Sequence, residues 1–440
     1  MVRKITKATL HSPIQKFIKA ESFSGFLLFF TTILALVMAN SPLREIYHHI
    51  INFDIGLRFQ NDEFYKPLIF WVNDGLMAVF FFLIGLEIKR EMIVGEINTV
   101  KKAALPIFAA VGGMLCPMIL YLCLNNNPET MQGWGIPMAT DIAFSLAILQ
   151  ILGKRVPIGL KVFLTAFAII DDIGAVAIIA LFYTENIVWS LLLYAFILLG
   201  MLYFLSYRNK FSKYILVPIG ITVWILFLQA GIHPTLAGIL LAFSVPIRQK
   251  IDEFTYAEKL KQIVNKITLP SNTNEHPVLT NEQIEEIDNL EDWTSKVQSP
   301  LQHMEHKLHY WVAYFIIPIF AFANAGVTFT NSADINFYLA VSILLALFAG
   351  KTIGVFLFSL LSIKFKIAAL PENVNFTHLF GIAILSGVGF TMSLFIANLA
   401  FADSLLYLNS AKFGIIMGSV ISGTIGLIVL KYSSRKSSLL

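Results

Sequence analysis

Long, nearly uninterrupted apolar runs separated by short polar connections dominate the chain. Twelve stand out, at 22–40, 67–88, 103–124, 134–152, 158–183, 190–207, 213–229, 233–247, 308–329, 338–363, 378–400 and 413–430; they are called spans one to twelve in order. Each is long enough, or nearly so, to cross a hydrocarbon core of about 30 Å as a helix, the eighth being the shortest. None shows the period-two alternation of a membrane barrel, so the pattern predicts an all-α polytopic membrane protein. Two stretches break the rhythm. In the loop 41–66, apolar Ile51, Phe53, Ile55, Leu57 and Phe59 alternate with polar or small residues, a short strand signal. Residues 249–298 are a polar insert holding 10 of the 28 acids. Helical apolar spacing runs through it at Phe254, Ala257, Leu260, Ile263 and Ile267, and again after Thr280 at Ile284, Ile287 and Leu290.

Composition agrees with a lipid solvent. Charged residues are 14% of the chain, where soluble domains carry about 25%. The 32 lysines and arginines then set the orientation. With a cytoplasmic N-terminus and alternating spans, 27 fall on cytoplasmic segments, 4 on outer loops and one, Lys351, inside span ten. That bias predicts both termini inside. The organisation follows as a basic tail (1–21), spans one to eight (22–248, with 41–66 outside), a cytoplasmic insert (249–298), spans nine to twelve (299–431) and a second tail (432–440). Val37-Met38-Ala39 resembles a signal-cleavage site, but the basic lead is long and the apolar run exceeds a usual signal core, so span one is expected to stay. The net charge of +4 reflects these loops and gives no reason to invoke nucleic acid.

The chemistry sits where charge is most costly. Asp171 and Asp172 lie side by side in the middle of span five, and a carboxylate there costs roughly 2.5–3.5 kcal/mol on insertion scales. Two adjacent carboxylates also repel, so the pair points to a proton or cation site. Lys351, about 12 residues from either end of its span, needs a counter-ion. The pair is the nearest, which predicts a Lys351 contact with one of the two aspartates. Asp141 lies in span four after Gly135-Ile136-Pro137-Met138-Ala139-Thr140, a composition that suits an interrupted helix. Span eleven carries a matching break, Ser386-Gly387-Val388-Gly389-Phe390-Thr391. Interrupted spans at matching places in two halves point to inverted repeats, here spans three to five and ten to twelve. Broken helices leave positive N-terminal and negative C-terminal ends at mid-membrane, for which Asp141 and Lys351 have the compensating signs. Thr140 and Thr391 are placed to cap freed backbone groups.

A second cluster belongs to the cytoplasmic surface. Glu87, Arg90 and Glu91 end span two at helical spacing, and Ser299-Pro300-Leu301-Gln302 opens the helix of span nine as a capping sequence. That helix carries His303, Glu305, His306 and His309, and histidine titrates near neutrality. Nothing nearby completes a zinc site. Asp74, at the outer start of span two, reads equally as a funnel residue or a cap. Cys116 and Cys123, two turns and about 10 Å apart on one helix, are too far apart to bridge.

Taken together, several runs resemble the NhaA family of bacterial sodium/proton antiporters. They are Ala139-Thr140-Asp141-Ile142-Ala143-Phe144, Ala168-Ile169-Ile170-Asp171-Asp172-Ile173-Gly174, Phe320-Ala321-Phe322-Ala323-Asn324-Ala325-Gly326-Val327, Asn73-Asp74-Gly75-Leu76, Gly85-Leu86-Glu87-Ile88-Lys89-Arg90-Glu91, Gly350-Lys351 and Gly387-Val388-Gly389-Phe390-Thr391-Met392. The resemblance runs from about residue 20 to 432, apart from about 249–298, where typical members have a shorter loop. It implies twelve helices, with the fourth and eleventh broken and crossing, in a bacterial inner membrane. It implies ion binding (Na⁺ or Li⁺) at Asp171 and Asp172, with Asp172 the more direct ligand, and an Asp171–Lys351 pair. Dipole compensation at Asp141 and Lys351, with Thr140 in support, is implied too. So are pH activation through Glu87, Arg90, Glu91, Glu305, His306 and His309, and a homodimer formed through an outer β-hairpin at 41–66. The insert reads either as a regulatory or partner-binding element or as a tolerated insertion.

These readings predict a Na⁺ or Li⁺/H⁺ antiporter, with no cofactor and no enzymatic activity. The chain carries no nucleotide-binding loop, so an ion gradient must drive transport. Carboxylates favour small hard cations over K⁺. Cation and protons compete for the pair while the repeats rock, and two titrating groups exchanged for one monovalent cation make the cycle electrogenic. Whether both aspartates titrate, or one aspartate with Lys351, stays open at this level. An intramembrane aspartyl protease needs its carboxylates on separate helices facing one water, whereas adjacent residues point about 100° apart. A sodium-coupled symporter of related architecture is the nearer rival, set apart by transport that needs an organic solute.

Overall fold

The computed structural model describes residues 11–59, 62–95, 99–184, 187–208, 210–249, 251–268, 281–328 and 335–437. The protein is predominantly helical, as lipid requires, because a helix satisfies its own backbone groups. Among the described residues, seven helices are long and apolar enough to cross a membrane: Leu68–Ile93, Ala103–Leu124, Ile158–Phe182, Trp189–Tyr207, Pro300–Ala325, Phe337–Lys364 and Leu405–Ser433. Three bent pairs add Phe23–Ala39 with Arg44–Ile51 (116°), Pro128–Met138 with Ile142–Ile151 (46°), and Phe376–Leu385 with Phe390–Ala400 (40°). Lys213–Gln229 and Thr235–Ser244 are shorter apolar helices.

Two sets of helices pack tightly within themselves. In one, Leu86, Leu202, Leu216, Leu241, Val245 and Leu301 join spans two, six, seven, eight and the start of nine. In the other, Leu105, Leu146, Phe167, Val355, Leu379 and Leu430 join spans three, four, five, ten, eleven and twelve. Small residues let backbones touch in both sets, which is how helices associate where lipid supplies no hydrophobic drive. A Cβ on Gly238 would stand 2.2 Å from the Ala78 carbonyl oxygen, and one on Gly354 2.0 Å from that of Gly112.

The outer loop holds an antiparallel hairpin of Asp54–Phe59 and Asp62–Pro67, registered Asp54↔Pro67 to Phe59↔Asp62, with residues 60 and 61 outside the described set. The indole of Trp71 donates to the Ile55 carbonyl at 2.9 Å and ties the hairpin to span two. The alternation overran the strand at its start. Ile51 ends the amphipathic helix Arg44–Ile51, whose buried face is Tyr47 and Ile51. A two-residue period and one turn of helix look alike over so short a run.

The insert contains helices Glu253–Thr268 and Asn281–Val297 packed on each other. Tyr256 and Thr294 hydroxyls lie 2.9 Å apart, and Lys259 and Lys296 approach the Trp293 ring at 5.5 and 5.8 Å. Residues 269–280, between the two helices, lie outside the described set, as do tail residues 1–10 and 438–440.

Candidate ion site and charge cluster

Helix Ile158–Phe182 carries Asp171 and Asp172 at its middle, 1% and 7% exposed. A π-helical turn at Ala346–Gly350 immediately precedes Lys351, which is fully buried. Such a turn re-aims the side chains that follow it. Lys351 Nζ donates to Asp171 Oδ2 at 2.8 Å and to the Met138 carbonyl oxygen. The other oxygen of Asp171 is buried with no hydrogen bond among the described residues, and Thr140 is its neighbour. Asp172, on the next position of the helix, forms no salt bridge with Lys351.

The two helix breaks lie against each other beside this pair. A 3₁₀ helix, Gln132–Met138, runs into extended residues at Ala139 (φ −82°, ψ 148°) and Asp141 (φ −95°, ψ 103°). Asp141 then caps helix Ile142–Ile151, its Oδ1 accepting the Phe144 N–H at 3.0 Å. Its Oδ2 accepts the Thr391 N–H at 3.0 Å and the Thr391 hydroxyl at 2.7 Å. One carboxylate therefore sits at the positive ends of two half-helices, Ile142–Ile151 and Phe390–Ala400. The Asp141 N–H donates to the Val388 carbonyl at 2.7 Å, the Thr140 hydroxyl to the Ser386 carbonyl at 3.2 Å, and the Ser393 hydroxyl to the Ile136 carbonyl at 2.8 Å. The ammonium of Lys351 rests on the last carbonyl of the 3₁₀ helix, at a negative helix end. Asp141, Thr140, Thr391, Lys351 and Asp171 are thus joined through one bonded layer.

Where span two ends and span nine begins, Arg90 donates to Glu91 at 2.6 Å and to both oxygens of Glu305 at 2.9 and 3.0 Å. Glu87 lies close enough to act on the Arg90 guanidinium, and His306 on Glu305. The His306 ring packs on Tyr310, whereas His309 is buried on the next turn. Ser299 caps the span-nine helix by accepting the Gln302 N–H at 3.1 Å. His309 also packs on the Tyr310 ring, at 6.1 Å, and His306 lies within electrostatic reach of both His303 and His309.

Sequence reasoning missed several participants. Met138 acts through its backbone, which no residue type announces. Lys89 donates to the Phe243 carbonyl at 2.7 Å, at the last turn of helix Thr235–Ser244. Lys351 is not the one buried lysine, since Lys161 and Lys412 are 9% and 7% exposed. Lys412 falls within helix Leu405–Ser437 rather than in an outer loop. The carboxylate of Asp74 stands 3.5 Å from His233 Nε2. Asn73, Asn324 and Asn398 bond to one another, and a polar amide in an apolar run was the signal available for them. Among the described residues no group of three or more His, Cys, Asp or Glu is set to hold a metal. A cation bound at the two aspartates would take its remaining oxygens from backbone, hydroxyls or water.

The chain was then compared with known proteins. A family model described as Na+/H+ antiporter 1 matches residues 15–430. The Na(+)/H(+) antiporter NhaA of Parabacteroides distasonis is 44% identical over 435 residues, covering 96% of each chain. The protein of the same name from Bacteroides fragilis is 41% identical over 417 residues, covering 93% of this chain and 95% of the relative. That of Helicobacter pylori is 41% identical over 443 residues and covers 99% of both. A solved sodium proton antiporter from Methanocaldococcus jannaschii aligns over 98% of each chain at 11% identity and a TM-score of 0.47, too remote a likeness to argue from.

Proposed function

Because this chain belongs to the NhaA family of Na⁺/H⁺ antiporters, we propose that it exchanges Na⁺ for H⁺ across a bacterial inner membrane, at Asp171 and Asp172. The observation that carries the reading is the buried Lys351–Asp171 bond, with Asp172 one residue away, beside two interlocked helix breaks. Such a site holds carboxylates with few competing donors, so a small cation and protons are alternative ways to neutralise them. In the cycle we propose, the deprotonated pair takes Na⁺ or Li⁺ from the cytoplasm. The broken-helix repeats rock, the site opens outward, and protons displace the cation and ride back. Lys351 is released from Asp171 as the cation binds and keeps the Met138 carbonyl as its acceptor. Two protons against one cation make the exchange electrogenic.

The finer reading extends the proposal. The seven long helices, the two broken spans, the first span and the two shorter helices make twelve spans, with both termini cytoplasmic. Spans four and eleven cross at the Asp141–Thr391 contact, where Asp141 and Lys351 balance helix ends of opposite sign. Glu87, Arg90, Glu91, Glu305, His306 and His309 set activation at alkaline pH through the Arg90-centred cluster. The 41–66 hairpin joins two copies, since an isolated two-stranded hairpin is marginal alone. The test is Na⁺-driven proton flux in proteoliposomes holding only this protein, with no organic solute. Acidification or alkalinisation that follows the Na⁺ gradient is expected, and flux that requires an added solute would favour the symporter instead.

A further inference from the structure

Three asparagines from three spans meet on one side of the ion site. Asn73 lies in the first turns of Leu68–Ile93, Asn324 is next to last in Pro300–Ala325, and Asn398 is near the end of Phe390–Ala400. Asn324 is the hub. Its Oδ1 accepts from Asn398 Nδ2 at 2.9 Å and from Asn73 Nδ2 at 3.3 Å, while its Nδ2 donates to Asn73 Oδ1 at 2.8 Å and to the Phe320 carbonyl at 2.9 Å. One turn before Asn398, the ring of Phe395 packs against Phe81, His233 and Phe320, with centroids 5.4, 5.4 and 6.3 Å away. Phe395 is 1% exposed.

These contacts join the two tightly packed sets of helices, which also meet across a shared apolar core that includes Phe81, Phe227, Ile343 and Phe395. Asn73, Phe81, His233, Phe320 and Asn324 belong to spans two, eight and nine; Phe395 and Asn398 belong to the half-helix whose Thr391 holds Asp141. Thr391 and Asn398 are seven residues apart, two turns or about 10 Å along the axis. The amides and the phenylalanine therefore cover the broken-helix layer at the helix ends that face outward if both termini are cytoplasmic. Within each set helix backbones touch through glycine. Across the Asn324 bridge the links are side chains. They are neutral amides, which part at far lower cost than a buried ion pair.

We propose that Asn73, Asn324 and Asn398, with Phe395, are the residues that close the outer route to Asp171 and Asp172, and that this bridge must part in every transport cycle. The inference rests on the alternating-access reading above. It makes Asn398 an access residue of the exchange, though it touches neither aspartate.

The test is a pair of cysteines, Asn324→Cys with Asn398→Cys, in full-length protein whose native cysteines are replaced (Cys116→Ser, Cys123→Ser). The pair is oxidised, or bridged with a short bifunctional methanethiosulfonate. Na⁺-driven proton flux should be lost on bridging and return on reduction, while the bridged protein still binds Na⁺ by calorimetry. Equal flux before and after bridging overturns the proposal. If the unbridged protein and its cysteine-free parent both carry no flux, the antiport reading itself falls. Should the double variant not fold, Asn398→Ala gives the second test. A single reporter cysteine at Asp172, labelled from outside by a membrane-impermeant maleimide, should react faster with Asn398→Ala than without it. An unchanged rate overturns the proposal.

Discussion

Two charged groups of this protein make a useful contrast. At mid-membrane, Lys351 meets Asp171 with both side chains wholly buried, and Asp141 spends its two oxygens on three donors. Where span two ends and span nine begins, Arg90 holds Glu91 and Glu305 with its own side chain 30% exposed, and Glu87 and His306 stand close by. The first group holds one ion pair, and no solvent can replace a lost partner. The second has spare partners and water. Losing a member should therefore silence or unfold the first group and only retune the second.

The largest effect is expected at Asp172. Asp172→Asn keeps the shape and removes both the charge and the titrating proton. Exchange in proteoliposomes should vanish while the protein still inserts, and wild-type flux from the folded variant would place the site elsewhere.

Lys351→Ala comes next. Removing one partner of a buried pair costs about 3–5 kcal/mol, because the other charge is orphaned. Thermal midpoints of detergent-purified protein should fall clearly. Asp171→Asn combined with Lys351→Gln should be more stable than the two single losses together predict. Additive losses would mean that the 2.8 Å contact carries no coupling.

Asp141→Asn should be milder. The amide still offers an oxygen to Phe144 or Thr391 but loses the charge at the two positive helix ends. Slower exchange with Na⁺ binding retained is expected by calorimetry. Complete loss of Na⁺ binding in folded protein would make Asp141 a direct ligand.

The smallest effect is reserved for Arg90. The Arg90 side chain is 30% exposed, and an exposed ion pair contributes about 0–1 kcal/mol, although its loss leaves Glu305 beside the like charge of Glu91. Arg90→Ala should leave the melting midpoint within a degree or two of the parent and shift the pH at which flux switches on. A collapse of flux at every pH would place Arg90 with the mid-membrane group and erase the contrast.

The same physics explains what was legible in the sequence. A carboxylate or ammonium in an apolar run is costly enough to be conspicuous, so Asp171, Asp172, Lys351 and Asp141 announced themselves. Gly, Pro and Thr around residues 135–141 and 386–391 marked both breaks for the same reason, since freed backbone at that depth needs partners. The crossing of the breaks was implied by the resemblance, but most of its partners were not legible, because beyond the Asp141–Thr391 bonds they are the Val388, Ser386 and Ile136 carbonyls, which every residue type possesses. Nor was the Met138 acceptor. The Asn324 bridge sent a weaker signal, since an amide in lipid is tolerable and apolar spans contain many single polar residues. At the ends of spans charge is ordinary, so composition alone did not say that Arg90 would choose Glu305, across 215 positions of sequence.

The central claim is that Na⁺ and protons compete for one pair of carboxylates. Calorimetric titration of Na⁺ into the purified protein at a neutral and an alkaline pH tests it most directly, with Asp172→Asn titrated alongside. A proton and a cation that share a carboxylate must weaken each other. Na⁺ should therefore bind more tightly at the alkaline pH, release protons as it binds, and show no binding to Asp172→Asn. Equal affinity at both pH values without proton release, or unaltered binding by Asp172→Asn, would contradict the account.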